Sequence, residues 1–228
     1  RLHSAIRTVL PLLPALAASS PALDGKCTAF MDNRVRVYGG NCARVPEIAG
    51  MIVPEPVASR HGYEASILEP IYRALQPLDP EGILCHEWAN ARGAIARFDR
   101  GAIEIRLLDI QECPKADLAI ATLVCEVVRA LAEERYSTVE QQDTLSTDTL
   151  HAVLMDAAQH GDAAILDYPP LTRCLGINEQ RQSMGEVWQQ LAASCLPNDS
   201  AVMPALNTIF QEGCLARRIC GAADKKNN

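Results

Sequence analysis

The chain has 228 residues, of which 48% are hydrophobic and 21% charged, and its formal net charge is −7. This length suits one large domain or two small ones with a buried core. An acidic chain lacks the basic surface that a nucleic-acid partner requires. No apolar run of about 18 residues is present, so neither a membrane-spanning helix nor a membrane partner is expected.

The first predicted element is a helix over Leu2–Leu16 that is bent or ended around Pro11 and Pro14. Basic residues ahead of this apolar segment also resemble a secretory signal. The two prolines favour an internal, buried helix over that alternative. Because the chain starts at Arg1 rather than at Met, we expect it to be the C-terminal part of a longer protein.

A strand is predicted next, over Thr28–Tyr38, where alternation would place Arg34 and Arg36 on one face. The segment Asn41–Arg60 is rich in Pro and Gly and is expected to be a loop. After it, the spacing of apolar residues predicts an amphipathic helix over Tyr63–Leu75.

The most informative segment is Glu87–Glu112, which has the pattern of a β-hairpin. Gly101 tolerates the positive φ that a tight turn at Asp99–Gly101 requires. After the turn, residues alternate, so that one face is apolar and the other carries an anion and a cation. The apolar face comprises Ile103, Ile105 and Leu107, and the charged face comprises Glu104 and Arg106.

Four arginines fall within fifteen residues of this hairpin, at positions 92, 97, 100 and 106. Guanidinium groups match the geometry of carboxylates and phosphates. We predict that Arg97 pairs with Ala102, which places Arg97 on the face of Glu104. The other register would bury an unpaired guanidinium at a large cost in free energy. The alternative to a ligand site is an ordinary solvent-exposed sheet surface.

A long helix is predicted from Cys113-Pro114, because proline suits a first helical turn. Cys125 is expected on its apolar stripe as a small hydrophobe. The polar segment Glu133–Asp143 is expected to be a loop or a frayed helix end. The stripe, expected to pack across the apolar hairpin face, consists of Ile120, Leu123, Val124, Val127, Val128 and Leu131.

Three helices and no strand are predicted for the remainder of the chain. The first begins near Ser146 and ends at Gly161. The second covers about Asn178–Cys195, and the third covers about Ser200–Cys220. The charged tail Asp224–Asn228 is expected to fray.

The cysteines indicate a reducing compartment. There are nine, an odd number, with no Cys-x-x-Cys pair, which favours free thiols and a cytoplasmic location. The five histidines show no metal-binding spacing.

Several separated blocks resemble the bacterial glutamate–cysteine ligase family of the carboxylate–amine ligase type, which groups with the glutamine synthetases. The block Gly101–Arg106, GAIEIR, is similar to that superfamily's Arg-x-x-Glu-x-Arg strand, with Arg97 and Arg100 ahead of it. The block Ala18–Tyr38 resembles the family's Ser-Pro…Gly…Arg stretch, and Arg34 falls on its arginine. Further similar blocks are MIVPEP, DIQECPKADLAI and the terminal-helix block GCLARRIC.

The resemblance implies an α+β fold, in which part of a glutamine synthetase-like antiparallel sheet is backed by helices and the C-terminal half is helical. Residues 1–135 would be the C-terminal part of the catalytic domain, with residues 136–228 as a helical region packed on it. The implied reaction is ATP-dependent amide formation between the γ-carboxylate of glutamate and the amine of cysteine through an acyl phosphate. This is the first step of glutathione synthesis.

The resemblance also implies cofactors, ATP and Mg²⁺, and roles for five residues. Glu104 would bind Mg²⁺. Arg97 and Arg106 would be catalytic and would hold the transferring phosphoryl group or the substrate carboxylate. Arg34 would bind ATP phosphate or substrate carboxylate. Arg44 falls where relatives carry an arginine near the substrate.

Part of that active site is not expected within this chain. In the superfamily, the other metal carboxylates and much of the nucleotide pocket precede the stretch that matches here. We therefore expect the N-terminal half of the same protein as a partner, an unpaired sheet edge, and at most weak activity of these 228 residues alone. Two alternatives stay open: a ligase of the same fold that uses another amine, and a non-catalytic helical interaction module.

Overall fold

Helices dominate the described part of the chain, residues 1–178 and 181–227 of a computed structural model. The strands are β1 (Ala22–Leu23), β2 (Lys26–Cys27), β3 (Ala94–Arg97), β4 (Ala102–Ile105), β5 (Ile165–Leu166) and β6 (Gln182–Ser183). Within these residues the strands form antiparallel pairs of chain neighbours, β1 with β2, β3 with β4 and β5 with β6. The predicted α+β class is confirmed.

The helices fall into two sets along the chain. The first set is α1 (Leu2–Val9), α2 (Leu13–Ala17), α3 (Asn33–Asn41), α4 (Arg60–Tyr63), α5 (Glu69–Leu75) and α6 (Pro114–Ala132). The second set is α7 (Val139–Asp143), α8 (Thr147–His160), α9 (Pro169–Cys174), α10 (Met184–Cys195), α11 (Met203–Glu212) and α12 (Leu215–Asn227). Among the helices described, none has the length and apolar character needed to span a bilayer.

The first helical segment bends where its prolines predict. A 3₁₀ turn, Leu10–Leu12, separates α1 from α2, and Pro11 and Pro14 stand in the first turns of successive segments, where a missing N–H is tolerated. The segment is buried in the main core. The indole N–H of Trp188 donates to the carbonyl oxygen of Leu12 at 2.9 Å. The prediction of a buried, bent helix is confirmed.

The strand predicted over Thr28–Tyr38 is wrong, because most of that segment belongs to α3. The Asp32 carboxylate accepts a hydrogen bond from the Val35 N–H at 2.8 Å and caps the helix. A helix cap of this kind outweighs the weak strand preference of a short alternating segment. Residues two positions apart on a helix do not face each other, so Arg34 and Arg36 do not share a face.

Two hydrophobic cores lie on the apolar side of the β3–β4 hairpin. The main core contains the predicted stripe of α6 together with Leu107, and Ile103 and Ile105 pack against it, as predicted. The smaller core joins Ala96 to the predicted helix over Tyr63–Leu75, which begins three residues earlier, as α4, and continues through a π-helical turn into α5. Packing against these two cores therefore holds the apolar side of the hairpin in place.

Cys125 is exposed, so its predicted place on the apolar stripe of α6 is wrong. It follows the buried Val124 by one residue, which is about 100° around the helix. The predicted loop over Glu133–Asp143 also contains a helix, α7. Its N-terminus is closed by a capping box in which Thr138 and Gln141 each bond to the other's backbone.

The C-terminal helices follow the prediction in part. The predicted helix from Ser146 to Gly161 is confirmed as α8, with Ser146 as its N-cap and Gly161 at φ 62° after its last residue. The helix predicted over Asn178–Cys195 begins later, as α10, and residues 179 and 180 lie outside the described residues. Helix α9 and strands β5 and β6 were not predicted, because these elements are too short to show a periodic pattern.

The helix predicted over Ser200–Cys220 is interrupted at Gly213, whose φ of 87° ends α11 before α12 begins. The backbone of α12 continues to Asn227, so the predicted frayed tail is helical as far as it is described, and residue 228 lies outside the described residues.

Candidate active site

The hairpin has the predicted register. Arg97 pairs with Ala102, and Gly101 adopts the left-handed conformation in the turn, with φ 59°. The ladder continues past β4, because the Arg106 N–H donates at 2.8 Å to a carbonyl oxygen just before β3. Paired residues of antiparallel strands point to the same side, as do alternate residues along one strand. Arg97, Glu104 and Arg106 therefore lie on one face, which we call the charged face.

Glu104 lies between the two arginines of the charged face. Its Oε1 is 3.0 Å from Arg106 Nε, and its Oε2 is 3.2 Å from Arg97 Nη1. The hydrogen bond from Arg106 is the main cause that lowers the pKa of Glu104. The Glu104 side chain is 42% exposed. An incoming ligand can therefore reach a carboxylate and two guanidinium groups in one place.

Arg34 joins this cluster from the first turn of α3. Its Nε lies 3.1 Å from Asp109 Oδ1, and its Nη1 donates to the carbonyl oxygen of Arg106 at 3.2 Å. The side chain is 41% exposed. Although the predicted strand is wrong, Arg34 and the charged face are neighbours. Ser20, which is bridged to Asp32 at the start of α3, also bonds to Asp109 just beyond the hairpin.

The other arginines considered in the sequence serve different purposes. Arg44 is exposed, and among the described residues no hydrogen bond or ion pair joins it to the charged face. Arg92 is buried and binds both carboxylate oxygens of Glu55, at 2.6 and 2.7 Å, which fixes the loop before it. Arg100 lies at the turn, 3.5 Å from the Asp99 carboxylate.

Asp109, which lies just beyond the hairpin, was not among the predicted site residues. Its Oδ2 accepts hydrogen bonds from the Ser20 hydroxyl at 2.7 Å and from the Ser19 N–H at 3.1 Å. The same Ser20 hydroxyl lies 3.4 Å from Asp32 Oδ1. The available signal was that the blocks ASSP and DIQ, which carry these polar groups, both belong to stretches that resemble the ligase family.

Comparison with known proteins identifies the family to which the chain belongs. The model of glutamate–cysteine ligase family 2 matches residues 1–226. The chain belongs to glutamate–cysteine ligase family 2. A protein of Archaeoglobus fulgidus, described as an uncharacterized protein, is 41% identical over 133 residues, which cover 58% of this chain and 36% of that relative. No solved structure matches the chain.

Membership in glutamate–cysteine ligase family 2 confirms the resemblance. The resemblance also implies Mg²⁺, but among the described residues no group of three or more His, Cys, Asp or Glu side chains is placed to hold a metal ion. Both oxygens of Glu104 are bound to arginines. Since Mg²⁺ requires near-octahedral oxygen coordination, these residues do not form a Mg²⁺ site by themselves.

The carboxyl group of Asp32 makes this region sensitive to pH. Burial, with the nearby Asp109 charge as a smaller contribution, raises the pKa of Asp32 to about 6. The folded state therefore binds this proton more tightly than the unfolded state does. The contribution of Asp32 protonation to the stability of the folded state is complete below the unfolded pKa of 3.8. It is lost as the pH rises through about 6.

We expect Asp32→Asn to remove this pH dependence, because asparagine caps helices as well as aspartate does and has no buried charge. The free energy of unfolding of the variant, minus that of the parent chain, should increase by about 2 kcal/mol between pH 4 and pH 7. Urea denaturation at several pH values measures this difference. A difference that stays constant with pH would contradict the assignment.

Proposed function

We propose that the chain carries part of the active site of an ATP-dependent carboxylate–amine ligase that joins the γ-carboxylate of glutamate to the amine of cysteine. The observation that supports this most is the charged face itself, with Arg34 beside it, in a member of glutamate–cysteine ligase family 2. Guanidinium groups around one exposed position suit a ligand that carries phosphate or carboxylate.

In the proposed reaction, a γ-carboxylate oxygen of glutamate attacks the terminal phosphorus of ATP, and ADP leaves. The amine nitrogen then attacks the acyl carbon of the resulting acyl phosphate, inorganic phosphate leaves, and the nitrogen loses a proton. The acyl group is already activated, so no nucleophilic side chain is needed. The demand on the protein is to hold and neutralise the transferring group.

We assign that task to Arg97 and Arg106, with Arg34 as a further clamp on phosphate or carboxylate. Glu104 holds the two catalytic arginines in the free protein and is the proposed carboxylate ligand of Mg²⁺. The remaining ligands of that ion would come from outside the described residues, because these supply no metal site on their own. We also propose Arg44 for substrate binding, at a position that has no contact with the charged face within the described part of the chain.

The proposed active site requires residues in addition to the 228 of this chain. The match covers 36% of the Archaeoglobus protein, and the charged face provides a single carboxylate. We therefore propose that residues 1–135 complete a catalytic domain together with an N-terminal half, that residues 136–228 form its helical region, and that the 228-residue chain alone is at most weakly active. A cytoplasmic location is also proposed, since all nine cysteines are free.

The experiment that tests the reaction is phosphate release by the native full-length protein with ATP and glutamate, in the presence of a panel of amines. Cysteine should give the highest kcat/KM. A higher value with another amine would keep the ligase and change its acceptor. Absence of phosphate release with every amine, and of ATP binding by calorimetry, would support the non-catalytic alternative instead.

Arg106→Lys tests whether catalysis requires the planar, two-pronged geometry of the guanidinium or only its positive charge. Lysine keeps the charge but cannot bond to Glu104 and to a ligand in the same planar geometry. We expect kcat of the native full-length protein to fall about 10- to 100-fold with little change in stability. Steady-state phosphate release measures kcat. A rate equal to that of the parent enzyme would show that a point charge is sufficient at this position.

A further inference from the structure

We propose that Asp109 is a positioning residue that orients the guanidinium of Arg34 toward the ligand of the charged face. This inference rests on the proposed function for the identity of that ligand, an anion that carries phosphate or carboxylate. The orientation itself depends only on the contacts described below.

The conformational freedom of the Arg34 side chain is restricted before a ligand binds. Its side chain is 41% exposed and has several rotatable bonds, so a free guanidinium would lose substantial conformational entropy when it bound a ligand. Two contacts restrict it in advance, the 3.1 Å ion pair of Nε with Asp109 and the 3.2 Å hydrogen bond of Nη1 to the Arg106 carbonyl oxygen. Within the described residues, Nη2 has no hydrogen-bond partner and remains available to a ligand.

The carboxylate of Asp109 is itself held in place. Its side chain is 8% exposed. The Ser20 hydroxyl and the Ser19 N–H both donate to Oδ2, which leaves Oδ1 facing Arg34. An acceptor whose two oxygens have separate, fixed partners provides a rigid anchor for the guanidinium.

The backbone around Asp109 is fixed as well. The side-chain amide of Gln111 donates to the carbonyl oxygen of Ala17 at 2.8 Å and to that of Asp109 at 3.0 Å. Asp109 follows Arg106 by three residues. The carboxylate that holds Arg34 and the backbone that carries Arg106 therefore belong to one short segment. The contacts therefore set the two guanidinium groups at a fixed relation to each other.

Asp109→Asn is the main test, because it removes the charge with little change in shape. In the native full-length protein, the mobility of the Arg34 side chain is measured by ¹⁵N relaxation of its Nε–H group. We expect a marked loss of order in Asp109→Asn and a smaller loss in Ser20→Ala. An unchanged order of the Arg34 Nε–H group in Asp109→Asn would overturn the proposal.

The matched control is Asp162→Asn, which disrupts another partly buried aspartate–arginine pair. Asp162 accepts hydrogen bonds from Arg217 Nε at 2.9 and 3.0 Å and from the Cys214 N–H at 3.2 Å. This variant should change stability without changing the order of Arg34. If Asp162→Asn mobilises Arg34 to the same extent as Asp109→Asn, the effect is general loosening and the proposal fails.

A double-mutant cycle on the native full-length protein connects the orientation to turnover. We expect Asp109→Asn to lower kcat/KM for glutamate or ATP about 10- to 100-fold. Because Asp109 acts through Arg34, adding Asp109→Asn to Arg34→Met should have little further effect, whereas additive losses would overturn the proposal. If the parent enzyme releases no phosphate while the Nε–H group of Arg34 still loses order in Asp109→Asn, the positioning role stands and the ligase reaction fails.

Discussion

Replacing Glu104 with glutamine is expected to lower kcat of the native full-length protein about 100- to 1,000-fold while the protein stays folded. The amide is neutral, so it can neither hold Arg97 and Arg106 through paired charges nor serve as the proposed carboxylate ligand. The fold should survive because the side chain is 42% exposed and the apolar side of the hairpin is unchanged. Phosphate release and circular dichroism measure the two outcomes.

The control for this variant is Glu126→Gln on α6, where the carboxylate pairs with Arg129 on the helix surface. It removes a charge of the same kind from an ion pair that has no contact with the charged face, and it should leave kcat within about twofold of the parent value. Turnover by Glu104→Gln at the parent rate would remove Glu104 from the active site.

Arg7→Met is expected to have the largest effect on stability. Arg7 is fully buried, and its guanidinium donates to the carbonyl oxygens of Pro54 and Leu145 and to the hydroxyl of Thr147, at 2.7 to 2.9 Å. Burial lowers its pKa. Methionine fills similar space but leaves two buried carbonyl groups without donors, so the free energy of unfolding should fall by about 3 kcal/mol.

Urea denaturation of Arg7→Met and of a surface variant tests this expectation. Arg129→Met removes an arginine that is 57% exposed and should change the free energy of unfolding by less than about 0.5 kcal/mol. Equal stability of the two variants would show that the three hydrogen bonds of Arg7 contribute little more than its packing.

The hairpin and its register were predictable because two local signals agree. Alternation defined the faces, and Gly101 marked the turn. The cost of burying Arg97 then selected one of two possible registers. The same kind of agreement, a proline in the first turn followed by an apolar stripe, made α6 predictable from its sequence.

The errors came where a single contact decided the structure. The side chain of Asp32 caps α3 and replaces a strand that alternation had predicted, and the positive φ of Gly213 divides what the apolar pattern presents as one helix. Asp109 was missed for another reason. Its partners Ser20 and Arg34 are 89 and 75 residues away in the chain, so no local pattern brings them together.

The position of α1 and α2 has a consequence for the synthesis of the protein. The leucines at positions 10, 12, 13 and 16 of this segment are fully enclosed in the finished structure, and the hydrogen bond on the Leu12 carbonyl comes from a residue 176 positions later. At about 5 to 20 residues per second, a ribosome adds that partner roughly 10 to 35 s after the leucine-rich segment. During this interval the nascent chain displays an apolar stretch of the kind that chaperones bind, and slower translation prolongs that exposure.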